Sequence, residues 1–246
     1  MDTAQVLDEL RRLGKPATAA IYRRHGAHDE AWGVTFADLG RLEKALRGRA
    51  DLAAPLWASA VYEARYLATR LADARALPMA TINSWLGEAR DRGTAAAVGD
   101  LVAQREDALA LAQGWVADPD EFVGYVGWTV VATLAMADRL DDASGFAFTE
   151  RIRDTIHGAP NLTRHAMTMA IIAIGIGCSG MRPAVYLAAD TIGTVVVDHG
   201  KTGCVTPAIV PYIERAVARH EARRANAGNR KSRATPAREI DVAVRA

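Results

Sequence analysis

DEFVGYVGWTVVATLAMA, residues 120–137, is the stretch whose reading decides the fold. It begins with Asp120, a residue type that caps helix N-termini, and then runs without a strong breaker for several turns. From Phe122 to Leu134 the apolar residues occupy more than one face of the helical wheel. A helix of this kind lies between neighbours rather than on one surface. Residues 166–174, AMTMAIIAI, have the same character. Their apolar run ends near Gly177, short of the about 20 residues that span a bilayer.

Outward from this stretch, helical periodicity and caps predict helices at 3–13, 17–25, 36–46 and 52–71, the last broken near Ser59. Others follow at 79–88, 95–104, 107–115, 146–156, 162–174, 182–192 and 207–225. Thr35 with Asp38 resembles a capping box, and Gly14, Gly26 and Gly48 suit helix C-termini. Short connections between so many helices imply hairpins. The expected fold is all-α, an α-solenoid of antiparallel helix pairs of HEAT-like length, with a globular bundle as the alternative. The solenoid is expected over residues 1–225 as one domain. Residues 226–246 lose apolar periodicity and gain arginine, which reads as a basic, disordered tail.

Half of the 246 residues are hydrophobic, so a sizeable core can form, and only 6% are aromatic. Few Val/Ile/Thr-rich alternating runs occur, which disfavours strands. The net charge of +1 gives no global attraction to nucleic acid, so polyanion binding requires charges gathered on one face. Two cysteines, Cys178 and Cys204, form no close-spaced framework, and the charged amphipathic start is unlike a signal peptide; a reduced, cytoplasmic setting is expected. No Gly-rich nucleotide loop, Ser/His/Asp arrangement or HExxH element is present, and no cofactor or membrane contact is expected.

Four segments together carry a family resemblance: LWASAVYEARYLATRLAD (56–73), EFVGYVGWTVVATLA (121–135), APNLTRHAMTMAIIAIG (159–175) and VDHGKTGCVTPAIVPYI (197–213). In order and spacing they resemble the DNA alkylation repair family, the AlkD-like HEAT-repeat DNA glycosylases, from about residue 17 to 213. The resemblance implies a curved solenoid whose positive concave face holds duplex DNA, and hydrolysis of the N-glycosidic bond of cationic alkylated purines. A cationic base leaves readily, so such an enzyme mainly stabilises an oxocarbenium-like sugar with a carboxylate and aromatic faces.

In the family register, a Trp-X-X-X-Asp element falls at about residues 94–98, where this chain has TAAAV. Asp100 is the nearest acid and the candidate catalytic carboxylate; its alternative role is a solvent-facing helix residue. Tyr125 stands where the family has a DNA-facing arginine, and Met169 where it has a later tryptophan. Tyr125 is a second catalytic candidate through its hydroxyl, and Tyr125 and Trp128, three residues on, either offer DNA a stacking face or pack between helices. Glu63 and Arg65 are retained family positions expected to tie their helix to neighbours, with Arg65 also a candidate for a DNA phosphate. Trp57 is expected in the core. Arg164 and His165 begin an apolar helix and either contact the DNA backbone or form a solvated helix start. Lys201 and the loop amides around it are candidates for a phosphate, with Thr206 and Pro207 opening the next helix. Asp198, His199, Cys204 and the distant Cys178 match no standard zinc spacing, so no metal is expected. Two functions follow: a DNA-binding protein that recognises or excises alkylated purines in duplex DNA, or an inactive HEAT-like scaffold that binds DNA or protein partners. If the groove is real, Arg65, Tyr125, Arg164 and Lys201 should share it.

Overall fold

The computed structural model describes residues 1–233. They form thirteen α-helices joined by turns and three short 3-10 segments, and their one bridge pairs Glu30 with Val61. Helices α1 (Thr3–Leu13) and α2 (Pro16–Arg24) are followed by α3 (Phe36–Ala45), α4 (Ala53–Ala58), α5 (Tyr62–Leu71), α6 (Met79–Glu88) and α7 (Arg92–Val102). Then come α8 (Ala108–Trp115), α9 (Glu121–Met136), α10 (Asp142–Thr155), α11 (Asn161–Gly177), α12 (Arg182–Ile192) and α13 (Ile209–Arg233).

Helices α3, α5, α7, α9, α11 and α13 each pack on the next, and α4, α6, α8, α10 and α12 pack against that row. The result is the two-layered HEAT-like solenoid of helix pairs. Its centre is α9, wedged among α7, α8 and α11, which is why its apolar residues run all round. Close approach to α8 depends on Gly127: a Cβ there would lie 2.8 Å from the Val116 amide nitrogen and 2.9 Å from the Trp115 carbonyl carbon. One hydrophobic cluster extends from Val6 to Ile213, with a small satellite of Tyr22, Ala31 and Tyr62.

Several boundaries move for identifiable reasons. The break near Ser59 occurs as expected, with Ala60 at φ 52° turning the chain between α4 and α5. Helix α7 begins at Arg92 rather than 95 because the Asp91 carboxylate accepts from the amides of Gly93 (2.8 Å) and Thr94 (2.9 Å). Helix α10 begins a turn early for the same reason, with Asp141 accepting from Ser144 at 2.8 Å. Helix α13 begins at Ile209, not 207, because the Thr206 hydroxyl is bonded to His199 Nε2 at 3.1 Å and does not cap it. Part of the expected tail is therefore helical, since α13 continues to Arg233; residues 234–246 of it lie outside the described residues. Among the described residues no single helix is long and apolar enough to cross a membrane.

Candidate functional site

Helices α5, α7, α9 and α11 run side by side in the same direction, so their N-termini share one edge of the solenoid. Three contacts fix that register. The Tyr62 ring covers Gly93, where a Cβ would fall 2.1 Å from Tyr62 Oη. Arg90 pairs with Asp120 at 2.7 Å. The Glu121 carboxylate accepts the Leu162 amide at 2.7 Å and so serves the first turn of α11. Asp91, Asp120 and Glu121 are thus turned toward backbone amides at helix N-termini, where the helix dipoles offset their charge.

The side chains left facing outward at this edge are largely basic and aromatic. A cleft of about 220 Å³ is lined by Arg24, His25, Arg92, His165 and His199 with the loop around Gly200, where the Asp198 carboxylate accepts the Gly200 amide. A second, of about 330 Å³, shares His25 and Arg92 and adds Tyr22, Phe36, Tyr62 and Tyr125. Arg92 is half-buried between them and enters no ion pair among the described residues. His165 meets His199 edge-on at 5.7 Å, and its buried Nδ1 has no hydrogen-bond partner. Burial, then the charges of Arg92 and His199, pulls the His165 pKa down to about 4. At neutral pH the ring is uncharged, and Arg92 supplies the positive charge beside it. Burial also pushes the Tyr125 hydroxyl up to about 12, and the Tyr62 hydroxyl upward with help from Asp91. Both phenols stay neutral.

The outer wall of these clefts is α2, and α5 holds it in place. Glu63, fully buried, accepts from the amides of Trp32 (3.1 Å), Gly33 (2.5 Å) and Val34 (3.1 Å). Gly33 has φ 88°, and a Cβ there would strike the Lys15 carbonyl oxygen at 2.1 Å, so only glycine fits this turn. Arg65 pairs with Asp29 at 2.9 Å and with Glu88 at 2.8 Å, donates to the Trp57 carbonyl, and lies over the Trp57 ring. Trp57 itself is in the core, stacked on Trp85 at 4.5 Å. Tyr22 Oη donates to the Val34 carbonyl at 2.7 Å. Glu63 and Arg65 therefore grip segment 29–34 from both ends, and through it set Tyr22 and His25 at the cleft.

The structure brings only part of the expected site together. Tyr125 and His165 line the paired clefts, and Lys201 is exposed on the loop next to Gly200. Arg65 is 7% exposed and its donors are consumed internally, so it is a structural tie rather than a phosphate contact. Trp128 is corrected likewise: it is 1% exposed, edge-on to Phe148 at 5.7 Å, and belongs to the core. Arg164 spends its guanidinium on the carbonyls of Ala159 (2.8 Å) and Val196 (2.9 Å), tethering segment 193–197 to α11 instead of reaching outward. Asp100 is open to solvent on α7, two turns from Arg92 and roughly 12 Å along the axis. It accepts from Thr133 at 3.0 Å, and the surrounding protein pushes its carboxyl upward. At 94–98, Thr94, Ala95, Ala97 and Val98 are buried, and only the Ala96 methyl meets the aromatic cleft. Cys178 is buried near the Leu140 carbonyl, while Cys204 is exposed.

Arg92 and His25 escaped the sequence reading, and His199 was weighed only as a metal ligand. A signal for Arg92 existed: an N-cap aspartate followed by arginine at a helix start projects that cation from the N-terminal edge.

A family model described as DNA alkylation repair enzyme matches residues 6–177. Lin0241, an uncharacterized protein of Listeria innocua serovar 6a, is 29% identical over 223 residues, covering 88% of this chain and 98% of its own. Lmo0209, an uncharacterized protein of Listeria monocytogenes serovar 1/2a, is 28% identical with the same coverage. Among solved structures, one described as a new family of proteins related to the HEAT-like repeat DNA glycosylases, with affinity for branched DNA structures, aligns with a TM-score of 0.83. Its identity is 25%, and the alignment covers 89% of this chain and 95% of that one.

Proposed function

The chain belongs to the DNA alkylation repair enzyme family, and from that premise we propose that it binds DNA at the Arg92 edge, favours branched over linear duplexes, and does not hydrolyse glycosidic bonds. One observation carries this reading. The cleft keeps a guanidinium free for phosphate at Arg92, yet the wall at 94–98 offers only a methyl group where a carboxylate and an indole would be needed. Phosphate contact supplies affinity without sequence preference, as structure-selective binding requires. The affinity of the structural neighbour for branched DNA supports the choice of ligand. Asp100 is a poor substitute carboxylate, since it lies about two helical turns from Arg92 and outside both clefts, with one oxygen held by Thr133.

The test pairs two measurements on the full chain. Duplex DNA carrying N7-methylguanine or N3-methyladenine is incubated with the protein and the free base quantified; release no faster than the spontaneous rate is expected. Binding to a three-way junction and to a linear duplex of equal length is then titrated at several salt concentrations, with tighter, salt-sensitive junction binding expected. Base release above background overturns the loss of catalysis. Absence of binding to either DNA overturns the DNA reading and favours a protein-binding scaffold.

A further inference from the structure

We propose that the aromatic cleft beside Arg92 receives a single unpaired nucleobase, whose phosphate lies in the adjoining cationic cleft. The inference rests on the DNA-binding reading above and names the part of the DNA that the cleft takes. Phe36, the first residue of α3, is 53% exposed, and Ile21 opposite is 46% exposed. Phe36 stands in a ladder of rings, edge-on to Tyr22 at 5.7 Å and to Tyr66 at 5.2 Å, with Tyr22 against Tyr62 at 5.0 Å. Tyr22 and Tyr62 are buried, so the ladder is rigid beneath the ring that faces water. An open aromatic face on a fixed support suits stacking against a planar base.

Size and polarity agree. The cleft, about 330 Å³, is at the small end of the range for small-molecule sites, which fits one base with its sugar. Two of its polar groups are committed, Tyr22 Oη to the Val34 carbonyl and Asp91 to the Gly93 and Thr94 amides, and most of the remaining lining is the rings of Phe36, Tyr62 and Tyr125 with Ile21, Ala27 and Ala96. The cleft therefore offers ring faces more than a hydrogen-bonding pattern, and predicts tolerance toward base identity. The cationic cleft shares His25 and Arg92 with it, so a phosphate on Arg92 places the attached base at the aromatic opening. Bases in an intact duplex are stacked and cannot enter. An unpaired base at a branch point can, which ties the cleft to a preference for branched DNA.

Permanganate reactivity reads this directly, because the oxidant attacks the ring face of unstacked thymine. The full chain is saturated with a three-way junction bearing one unpaired thymine at the branch. That thymine should become protected, while Phe36→Ala at saturation leaves it reactive and Phe36→Trp restores protection. Phe36→Ala should also weaken junction binding roughly tenfold or more, the scale of lost base–aromatic stacking. A thymine that stays reactive in the wild-type complex, or that stays protected with Phe36→Ala, overturns this proposal and leaves the DNA reading standing. Absence of any DNA binding removes both.

Discussion

Removing the Glu63 carboxylate should loosen the molecule far more than a typical single substitution. In Glu63→Ala, the amides of Trp32, Gly33 and Val34 lose their acceptor. A buried donor left unsatisfied costs about 1–3 kcal/mol. Trp32 is only half-buried and water will re-satisfy part of this set, so we expect a loss of about 4 kcal/mol. For a chain of this size each kcal/mol lowers Tm by roughly 2–4 °C, giving a drop of about 8–16 °C. Glu63→Gln keeps one acceptor oxygen but turns an NH2 group toward the amides, and should fall between. The measurement is thermal unfolding followed by far-UV circular dichroism, with near-UV signal reporting the Trp32 environment. Because this turn carries α2, junction binding should weaken in the same variants at temperatures where they remain folded. A Glu63→Ala Tm within about 2 °C of wild type would refute the claim that this carboxylate holds the segment.

Three further outcomes are expected. Gly93→Ala puts a Cβ 2.1 Å from Tyr62 Oη and should destabilise by about 1–3 kcal/mol; adding Tyr62→Phe should recover part of the loss in a double-mutant cycle by urea unfolding. Arg92→Ala should reduce the slope of log binding constant against log salt by about one, as for one lost phosphate contact, without shifting Tm by more than a few degrees; an unchanged slope would remove Arg92 from the interface. His165 has a folded pKa near about 4 and an ordinary value of 6.5, so the unfolded chain binds the extra proton as pH falls from about 6.5 toward 4. Stability should decline across that window and show no His165 contribution above it. Urea unfolding at pH 7.5 and 5.0 should therefore show a larger loss for wild type than for His165→Gln.

Much of the fold was legible because it rests on local signals. The all-round apolarity of 120–137 required neighbours on every side, and α9 has them. Ser59 marked a break that a left-handed Ala60 completes. Helix starts were misplaced where a capping aspartate, Asp91 or Asp141, stood several residues before the apolar pattern became clear. The site was harder to read. Arg65 is legible as a tie between helices and Arg164 as a charged helix start, yet their partners, Asp29, Glu88 and the Val196 carbonyl, come from distant segments that no periodicity connects. Arg92, His25 and His199 are separated by up to most of the chain, and they become neighbours only because residues 24–26 and 197–202 meet at the N-termini of α7 and α11.

The cationic cleft takes its walls from residues 24–26 and from 197–202, close to the two extremities of the folded chain. In a linear stack each repeat touches its neighbours alone, so either end can fray without the other registering it. Here the ends work like the halves of a clasp. Trimming either one removes one side of the ligand seat, and a bound phosphate spanning the gap would couple the melting of the first helices to that of the last. Ligand occupancy should then be visible as slower hydrogen exchange at both ends at once.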